Sequence, residues 1–312
     1  MDSYVRACIE EIRIARVGEE TPLATSVFVG GGTPSRLSPE LIEALVRAVP
    51  SVPGVEVTVE CNPEDASSAT FDRWRTAGVT RVSLGLQSTD PRVLAGLGRR
   101  HGPASAEPVL AQAWAAGFDS VSVDLIFGGP GETDDSWART LIAVVGSPYA
   151  PTHVSAYALT VEPGTPLGAD EERHPDDDEQ ARRYEIAEEI LSGAGYRWYE
   201  VSSWAKPGYE CRHNQLYWTQ GDYRGIGCAA HSHRAGRRWW NVRTPDRYVR
   251  LIESGDSVVA GEEVLDPGRR AFEALAMGLR TARGVPHSAL PDDLDLTGIF
   301  ERSGDRAVLT VR

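Results

Sequence analysis

The chain has 312 residues, 41% of them hydrophobic and 25% charged, a composition typical of a globular protein with a hydrophobic core. The formal net charge of −13 disfavours nucleic acid as a partner, because phosphate binding requires a basic surface. No apolar run approaches the about 18 residues of a membrane span, and the first residues lack the pattern of a secretion signal. We therefore expect a cytoplasmic protein without a transmembrane segment.

The N-terminal half alternates predicted helices and strands. Residues 2–15 place apolar side chains on one helical face, which predicts an initial helix. Strand-like segments then begin near residues 27, 55, 81, 121 and 153, at roughly the 30-residue spacing of a strand–helix–strand unit. The segments between them carry helix caps and terminating glycines. This alternation predicts a parallel sheet, either open or closed into a barrel.

The pattern changes after residue 160. An acidic loop leads to a predicted helix over 182–193 and an aromatic, strand-like stretch over 196–204. Predicted helices over 246–254 and 268–280 and a hairpin over 300–311 then indicate a small α+β domain. We accordingly divide the chain into a barrel core, 1–200, and a C-terminal region, 201–312.

Polar or glycine-rich residues follow each predicted strand. Because the carboxyl ends of parallel strands meet at one mouth, we expect four of these residues to lie together: Gly31, Glu60, Gln87 and Asp124. Two carboxylates and an amide suit the hydroxyl and ammonium groups of a small ligand, and Arg99 could bind its carboxylate. Each residue type also has an alternative role that involves no ligand. The glycines could form a tight turn, the carboxylates could lie at the solvent-exposed rim, and the arginine could be a solvated residue of a helix.

The four cysteines do not have the spacing of a zinc knuckle or a redox Cys-x-x-Cys pair. They are Cys8, Cys61, Cys211 and Cys228. We expect most of them to be small buried residues rather than ligands.

Several motifs occur in an order that resembles a known family. They are Gly30-Gly31-Gly32-Thr33-Pro34-Ser35, Glu60-x-Asn62-Pro63, Gly85-Leu86-Gln87-Ser88, Leu97-Gly98-Arg99-x-His101, Asp124-Leu125-Ile126-x-Gly128-x-Pro130-Gly131-Glu132-Thr133 and the stretch from Ala205 to Asn214. The chain resembles the radical S-adenosylmethionine (SAM) proteins of the oxygen-independent coproporphyrinogen III oxidase family. Its His213-Asn214-x-x-Tyr217-Trp218 is similar to the mark of the HemW-type branch of heme chaperones.

The resemblance implies a fold and a ligand, SAM. The fold is α/β, a partial parallel (β/α)6 barrel of the radical SAM type missing its first strand, with a smaller α+β C-terminal domain. SAM would lie across the mouth, with its methionine part near Gly31, Gly32 and Thr33. Its amino, carboxylate and ribose groups would meet Glu60, Gln87, Arg99 and Asp124. Thr160 would contact the adenine.

One family motif has no counterpart in this sequence. The family's Cys-x-x-x-Cys-x-x-Cys holds a 4Fe-4S cluster, and the four cysteines present do not replace it, since cluster ligands need compact spacings. We expect that this cysteine segment and the first strand belong upstream of residue 1, and that they are missing because the start codon was assigned too late or because the chain was clipped. The alternative is a truncated paralogue that only binds ligands. As printed, the chain should neither assemble the cluster nor cleave SAM, and its strand near Val27 should have an unpaired edge.

His213 is the candidate for a heme iron ligand, since imidazole is a common axial ligand and Tyr217 and Trp218 offer flat apolar surface. A structural, hydrogen-bonded histidine is the alternative, and Cys211 and His231 are reserve ligands. The resemblance favours a heme chaperone that passes heme to an unknown acceptor protein. A coproporphyrinogen III dehydrogenase and a binding-only module remain alternatives; no catalytic residue is assigned, and a homodimer is left open.

Overall fold

The computed structural model describes residues 1–18, 22–99, 102, 106–290 and 298–310. Its helices are α1 (Asp2–Gly18), α2 (Pro39–Ala48), α3 (Ser68–Ala77), α4 (Pro91–Gly96), α5 (Ala106–Ala115), α6 (Asp134–Val145), α7 (Asp177–Gly193), α8 (Arg212–Trp218), α9 (Pro245–Ser254) and α10 (Pro267–Gly278). Its strands are β1 (Ala24–Val29), β2 (Ser51–Cys61), β3 (Arg81–Gln87), β4 (Ser120–Phe127), β5 (His153–Ala158), β6 (Arg197–Glu200), β7 (Ser203–Ala205), β8 (His231–Arg234), β9 (Arg237–Asn241), β10 (Val259–Val264), β11 (Val285–Pro286), β12 (Phe300–Ser303) and β13 (Arg306–Leu309).

The largest sheet has the strand order β1-β2-β3-β4-β5-β7-β6. The first five strands pair in parallel, each with the next in sequence, whereas β7 runs antiparallel to both β5 and β6. The five predicted strands and the initial helix are thereby confirmed. Helices between successive parallel strands cover one face of the sheet, as the right-handed crossover requires.

The two faces of this sheet differ in polarity. On the outer face, alternate strand residues pack under the helices and are buried: Val57, Val59, Val82, Leu84, Val121, Val123, Leu125 and Val154. The residues between them face inward and are mostly polar: Glu56, Glu60, Ser83, Ser122, Asp124, His153 and Ser155. Because strand side chains alternate in direction, one sequence supplies both a hydrophobic core and a polar interior.

The sheet is curled into a partial barrel, as helix α8 demonstrates. Two neighbouring residues of α8 reach opposite edge strands: His213 Nδ1 lies 3.1 Å from Ser26 Oγ on β1, and Asn214 Nδ2 donates to Glu200 Oε1 on β6 at 3.0 Å. A flat sheet of seven strands would hold its edges about 29 Å apart, at about 4.8 Å per strand. A seven-residue helix is only about 10 Å long, so the edges must approach each other.

The C-terminal region adds two three-stranded antiparallel sheets, β10-β9-β8 and β11-β13-β12. The predicted hairpin is confirmed as β12 and β13, and its last predicted residue, 311, lies outside the described residues. The largest sheet runs on to Ala205, and the predicted domain boundary between 200 and 201 stays a prediction. No helix in the described ranges has both the length and the apolar character needed to cross a membrane.

Helix α1 is tied to the C-terminal region by a buried carboxylate. Glu11, only 4% exposed, accepts hydrogen bonds from Gly227 N at 2.8 Å, Asn241 Nδ2 at 2.9 Å and Tyr248 Oη at 2.5 Å. A buried charge is tolerated when hydrogen bonds replace its hydration. The same helix packs against α2 and α9, so the barrel and the C-terminal region share an apolar contact as well.

Candidate functional site

The three glycines after β1 serve two different purposes. A Cβ on Gly30 would lie 2.5 Å from Phe28 Cε1 and 3.0 Å from Glu60 Cδ, so only glycine allows this approach. Gly31 and Gly32 instead have left-handed φ angles of +80° and +74° and open space around them. The Gly31 N–H donates to Glu60 Oε2 at 3.1 Å. The glycine loop is therefore folded back onto the end of β2.

A cavity of about 370 Å³ lies at the carboxyl ends of the parallel strands. Its lining residues are Gly32, Thr33, Pro34, Ser35, Glu60, Cys61, Asn62, Ser83, Gly85, Gln87, Arg99, Asp124, Ile126 and Tyr157. Small-molecule sites in proteins occupy about 300–1,000 Å³, so the cavity has a suitable size for one organic ligand. The six predicted residues Gly32, Thr33, Glu60, Gln87, Arg99 and Asp124 are brought together here.

Two of the predicted site residues, Gly31 and Thr160, do not line this cavity. Gly31 is not among the lining residues but contacts the cavity through its hydrogen bond to Glu60. Thr160 is exposed two residues after β5 and lies outside the lining. Its predicted contact with adenine stays a prediction. A larger cavity of about 520 Å³ lies between α5 and α6, and it contains none of the predicted residues.

The cavity contains a pair of carboxyl groups that favour a cationic ligand. Burial raises the pKa of Glu60, the charge of Asp124 raises it further, and the Gly31 N–H opposes both effects. Burial likewise raises the pKa of Asp124, opposed by hydrogen bonds from Ser155 and from Ser83, whose Oγ donates to Asp124 Oδ2 at 3.0 Å. A nearby cation or hydroxyl donor would offset the burial that raises both pKa values.

Gln87 is held in a conformation that non-glycine residues rarely adopt. Its φ is +64°, although the residue is buried and ends β3. The side chain folds over Gly85, where a Cβ would lie 2.9 Å from Gln87 Nε2. Such backbone strain is concentrated at functional sites, where the surrounding structure maintains it. The glycine two residues earlier is therefore what allows the amide to reach the cavity.

Eight lining residues were not among the predicted site residues: Pro34, Ser35, Cys61, Asn62, Ser83, Gly85, Ile126 and Tyr157. Four of them belong to the strands β3, β4 and β5: Ser83, Gly85, Ile126 and Tyr157. Each lies on the inward face of its strand, two residues from another inward-facing position, so strict alternation could have identified it. Tyr157 is the large side chain among them and is partly exposed at the rim. It gives the otherwise polar cavity an aromatic wall.

A second cluster surrounds helix α8, whose first turn is fixed to β2. Glu56 accepts hydrogen bonds from the backbone N–H groups of Arg212 at 3.2 Å and His213 at 3.0 Å. A carboxylate at this position satisfies amides that have no partner within the helix and complements the helix dipole. The strand that carries Glu60 at the mouth therefore also anchors the helix of the His-Asn-x-x-Tyr-Trp motif.

Both ring nitrogens of His213 are engaged. Nδ1 lies 3.1 Å from Ser26 Oγ, and Nε2 lies 2.9 Å from Tyr217 Oη. The imidazole stacks on Phe28, with ring centroids 5.2 Å apart. Burial lowers the pKa of His213, opposed by the charge of Glu56. The ring thus lies between the edge strand β1 and the next turn of its own helix.

The motif asparagine joins α8 to a buried polar chain inside the barrel. Asn214 Nδ2 donates to Glu200 and lies 3.3 Å from Tyr199 Oη. Tyr199 Oη in turn lies 2.8 Å from His153 Nε2, and His153 Nδ1 lies 2.8 Å from Ser122 Oγ. Burial lowers the pKa of His153 well below its ordinary value. The interior is therefore structured by a continuous hydrogen-bonded network.

The two reserve ligands have other environments. Cys211 is buried, its Sγ lies 3.6 Å from Glu56 Oε1, and burial raises the pKa of its thiol to about 11. His231 is exposed on β8 and stacks on Trp240 with ring centroids 6.0 Å apart. Among the described residues, neither Cys211 nor His231 forms a hydrogen bond or a ring contact with His213 or Tyr217.

Comparisons with known proteins identify relatives of this chain. The family described as the Radical SAM superfamily matches residues 2–143. A protein named heme chaperone HemW from Mycobacterium tuberculosis (strain CDC 1551 / Oshkosh) is 41% identical over 326 aligned positions, which cover all of this chain and 83% of that protein. The heme chaperone HemW of Synechocystis sp. (strain ATCC 27184 / PCC 6803 / Kazusa) is 33% identical, with 92% of this chain and 71% of that protein covered.

A solved structure has the same fold. The coproporphyrinogen III oxidase HemN from Escherichia coli, described as a radical SAM enzyme, superimposes with a TM-score of 0.82. The match covers all of this chain and 80% of that one at 20% sequence identity. The predicted partial-barrel architecture is thereby confirmed; at this identity the likeness concerns the fold alone.

Proposed function

Because the chain belongs to the HemW family of heme chaperones within the radical SAM proteins, we propose that it binds heme and passes it to an acceptor protein. We further propose that it binds SAM at the mouth of the barrel. The observation that carries the first proposal is the 41% identity to a HemW protein over the whole of this chain, together with the His-Asn-x-x-Tyr-Trp element on α8. The identity of the acceptor, a cytoplasmic location and a homodimer stay predictions.

The mouth cavity fits SAM by its chemistry. SAM carries an ammonium cation, a sulfonium cation, a carboxylate and two ribose hydroxyl groups. When bound, it would present these groups to the residues that line the cavity. Glu60 and Asp124 would bind the ammonium and hydroxyl groups, and Arg99 the carboxylate. The raised pKa values of Glu60 and Asp124, caused first by burial, support a cationic ligand between them. Gly31, Gly32 and Thr33 would line the methionine part.

The cysteines of this chain do not fit a 4Fe-4S cluster. Radical SAM proteins hold such a cluster, but in the described part of the chain no three His, Cys, Asp or Glu side chains converge on a metal position. Of the four cysteines, Cys61 borders the mouth, and burial raises the pKa of its thiol to about 12. We therefore derive no chemistry from a cluster held by these cysteines.

The heme site that we propose is the aromatic surface around α8. Phe28 and Tyr217 are 36% and 42% exposed, and the half-buried ring of His213 lies between them. A porphyrin needs flat apolar surface together with a ligand for its iron, and this surface offers both. The hydrogen bonds of Glu56 and Asn214 hold the helix in place.

The test is a titration of the full chain with ferric hemin, followed by the Soret absorption. We expect saturable binding of one heme per chain in the wild type and at least tenfold weaker binding in a His213→Ala/Tyr217→Phe double variant. His231→Ala is the matched control, since this histidine is exposed and stacked on an aromatic ring but lies outside α8. A wild type without saturable binding would refute the heme proposal, and an equal loss in the control would refute its location.

A further inference from the structure

We infer that the phenol oxygen of Tyr217, and not a nitrogen of His213, binds the iron of heme, and that His213 positions this oxygen through a hydrogen bond. The inference rests on the proposed heme-binding function and specifies which atom of the site contacts the iron. Its basis is the geometry of two side chains one helical turn apart on α8.

The imidazole of His213 has no free nitrogen. Binding of iron at Nδ1 would break the contact with Ser26, and binding at Nε2 would break the contact with Tyr217. The ring is also half-buried, and its face is covered by Phe28. Heme binding at either nitrogen of His213 would therefore cost this side chain one of its two hydrogen bonds.

Tyr217 is the accessible member of the pair. Its side chain is 42% exposed and follows His213 by four residues, which places both on one face of the helix. Its ring meets the His213 ring edge-on, with centroids 5.1 Å apart, and meets Tyr223 in the same way at 4.6 Å. Two rings thus fix the direction of the phenol. Of the two side chains, the one that carries the phenol oxygen is therefore the more exposed.

Phenolate ligation of ferric iron is known for heme proteins. Burial raises the pKa of Tyr217 and lowers the pKa of His213, so the bond to Fe(III) must supply the free energy for the proton transfer between them. Ser26 Oγ can accept from His213 Nδ1–H, which leaves a lone pair on Nε2 facing the phenol. On binding, the O–H bond of Tyr217 breaks, its electron pair forms the bond to Fe(III), and the proton is transferred to Nε2. The resulting N–H then donates to the phenolate. The carboxylate of Glu56, which accepts from the backbone N–H of His213 at 3.0 Å, stabilises the positive charge of the imidazolium.

The experiment compares wild type, Tyr217→Phe and His213→Ala, each loaded with ferric hemin. Tyr149→Phe is the matched control, because Tyr149 is 40% exposed and lies near the larger cavity, outside the α8 cluster. Hemin affinity is measured by titration. The ligand is identified by the phenolate-to-iron charge-transfer absorption and by the tyrosinate vibrations in resonance Raman spectra.

We expect phenolate signals in the wild type and the control, and their loss in Tyr217→Phe with at least tenfold weaker binding. His213→Ala should retain the phenolate signals while binding hemin about tenfold more weakly, the effect of one lost charge-assisted hydrogen bond. An imidazole-type spectrum in the wild type that persists in Tyr217→Phe would overturn the inference and leave the heme proposal intact. An absence of saturable hemin binding in the wild type would refute the proposed function itself.

Discussion

Replacing Glu60 by glutamine should weaken SAM binding and at the same time stabilise the ligand-free protein. The substitution keeps the size of the side chain and an oxygen for the Gly31 N–H, which now donates at 3.1 Å, but removes one of the two charges at the mouth. A hydrogen bond to a charged group is worth about 1.5–3 kcal/mol, which corresponds to about 10- to 150-fold in the dissociation constant. Isothermal titration calorimetry with SAM measures this loss.

The stabilisation follows from the sign of the pKa shift. Burial and the charge of Asp124 raise the pKa of Glu60, so the ionised carboxylate destabilises the folded chain once the pH rises above the ordinary value of about 4.3. Glu60→Gln should therefore raise the Tm of the ligand-free protein at pH 7, and the difference should vanish as the pH falls below about 4. Scanning calorimetry at several pH values measures the effect.

Glu210→Gln is the matched control, because Glu210 Oε2 also accepts a backbone N–H, from Gly208 at 3.1 Å, but lies outside the cavity. It should change neither the SAM affinity nor the pH dependence of the Tm in this way. The reasoning is refuted if Glu60→Gln binds SAM as tightly as the wild type, or if its ligand-free form is less stable at pH 7.

Two further substitutions and one chemical modification test the packing around the mouth cavity and around α8. Gly30→Ala should cost about 1–3 kcal/mol in the free energy of unfolding, measured with denaturant, because its Cβ has no space. Asn214→Ala should cost about 1–3 kcal/mol by the same measurement and weaken hemin binding, since Glu200, 1% exposed, loses a donor. Cys211, whose pKa is raised to about 11 by burial, should react with iodoacetamide at pH 8 only after unfolding, since roughly one thiol in a thousand is ionised.

Each of these expectations has a contrary outcome. Gly193→Ala is the control for Gly30→Ala, since a Cβ at Gly193 meets nothing within 4 Å; equal losses in both would contradict the steric argument. Unchanged stability of Asn214→Ala would mean that α8 is held without Glu200. Rapid alkylation of native Cys211, detected by mass spectrometry, would contradict its burial.

Convergence of the strand-end residues was predictable from the sequence. Glu60, Gln87 and Asp124 lie in the C-terminal halves of three consecutive parallel strands, and parallel strands end at one edge. The alternation that places them inward also predicts their buried neighbours, so the core and the mouth are encoded by one period-two pattern. Thr160 follows β5 by two residues, where strand alternation no longer fixes side-chain direction, and it is exposed outside the cavity lining.

What the sequence by itself determined is local: the strands and helices, the polar strand ends and the motif residues of α8. Only the tertiary structure decided which distant side chains meet, because the curl of the sheet brings β1 and β6 within reach of one short helix. Nothing in the local sequence of His213 indicates that Ser26, 187 positions earlier, engages one nitrogen and leaves Tyr217 exposed beside the other. Side-chain alternation fixes direction along a strand, whereas contact between separate elements depends on how the whole sheet closes.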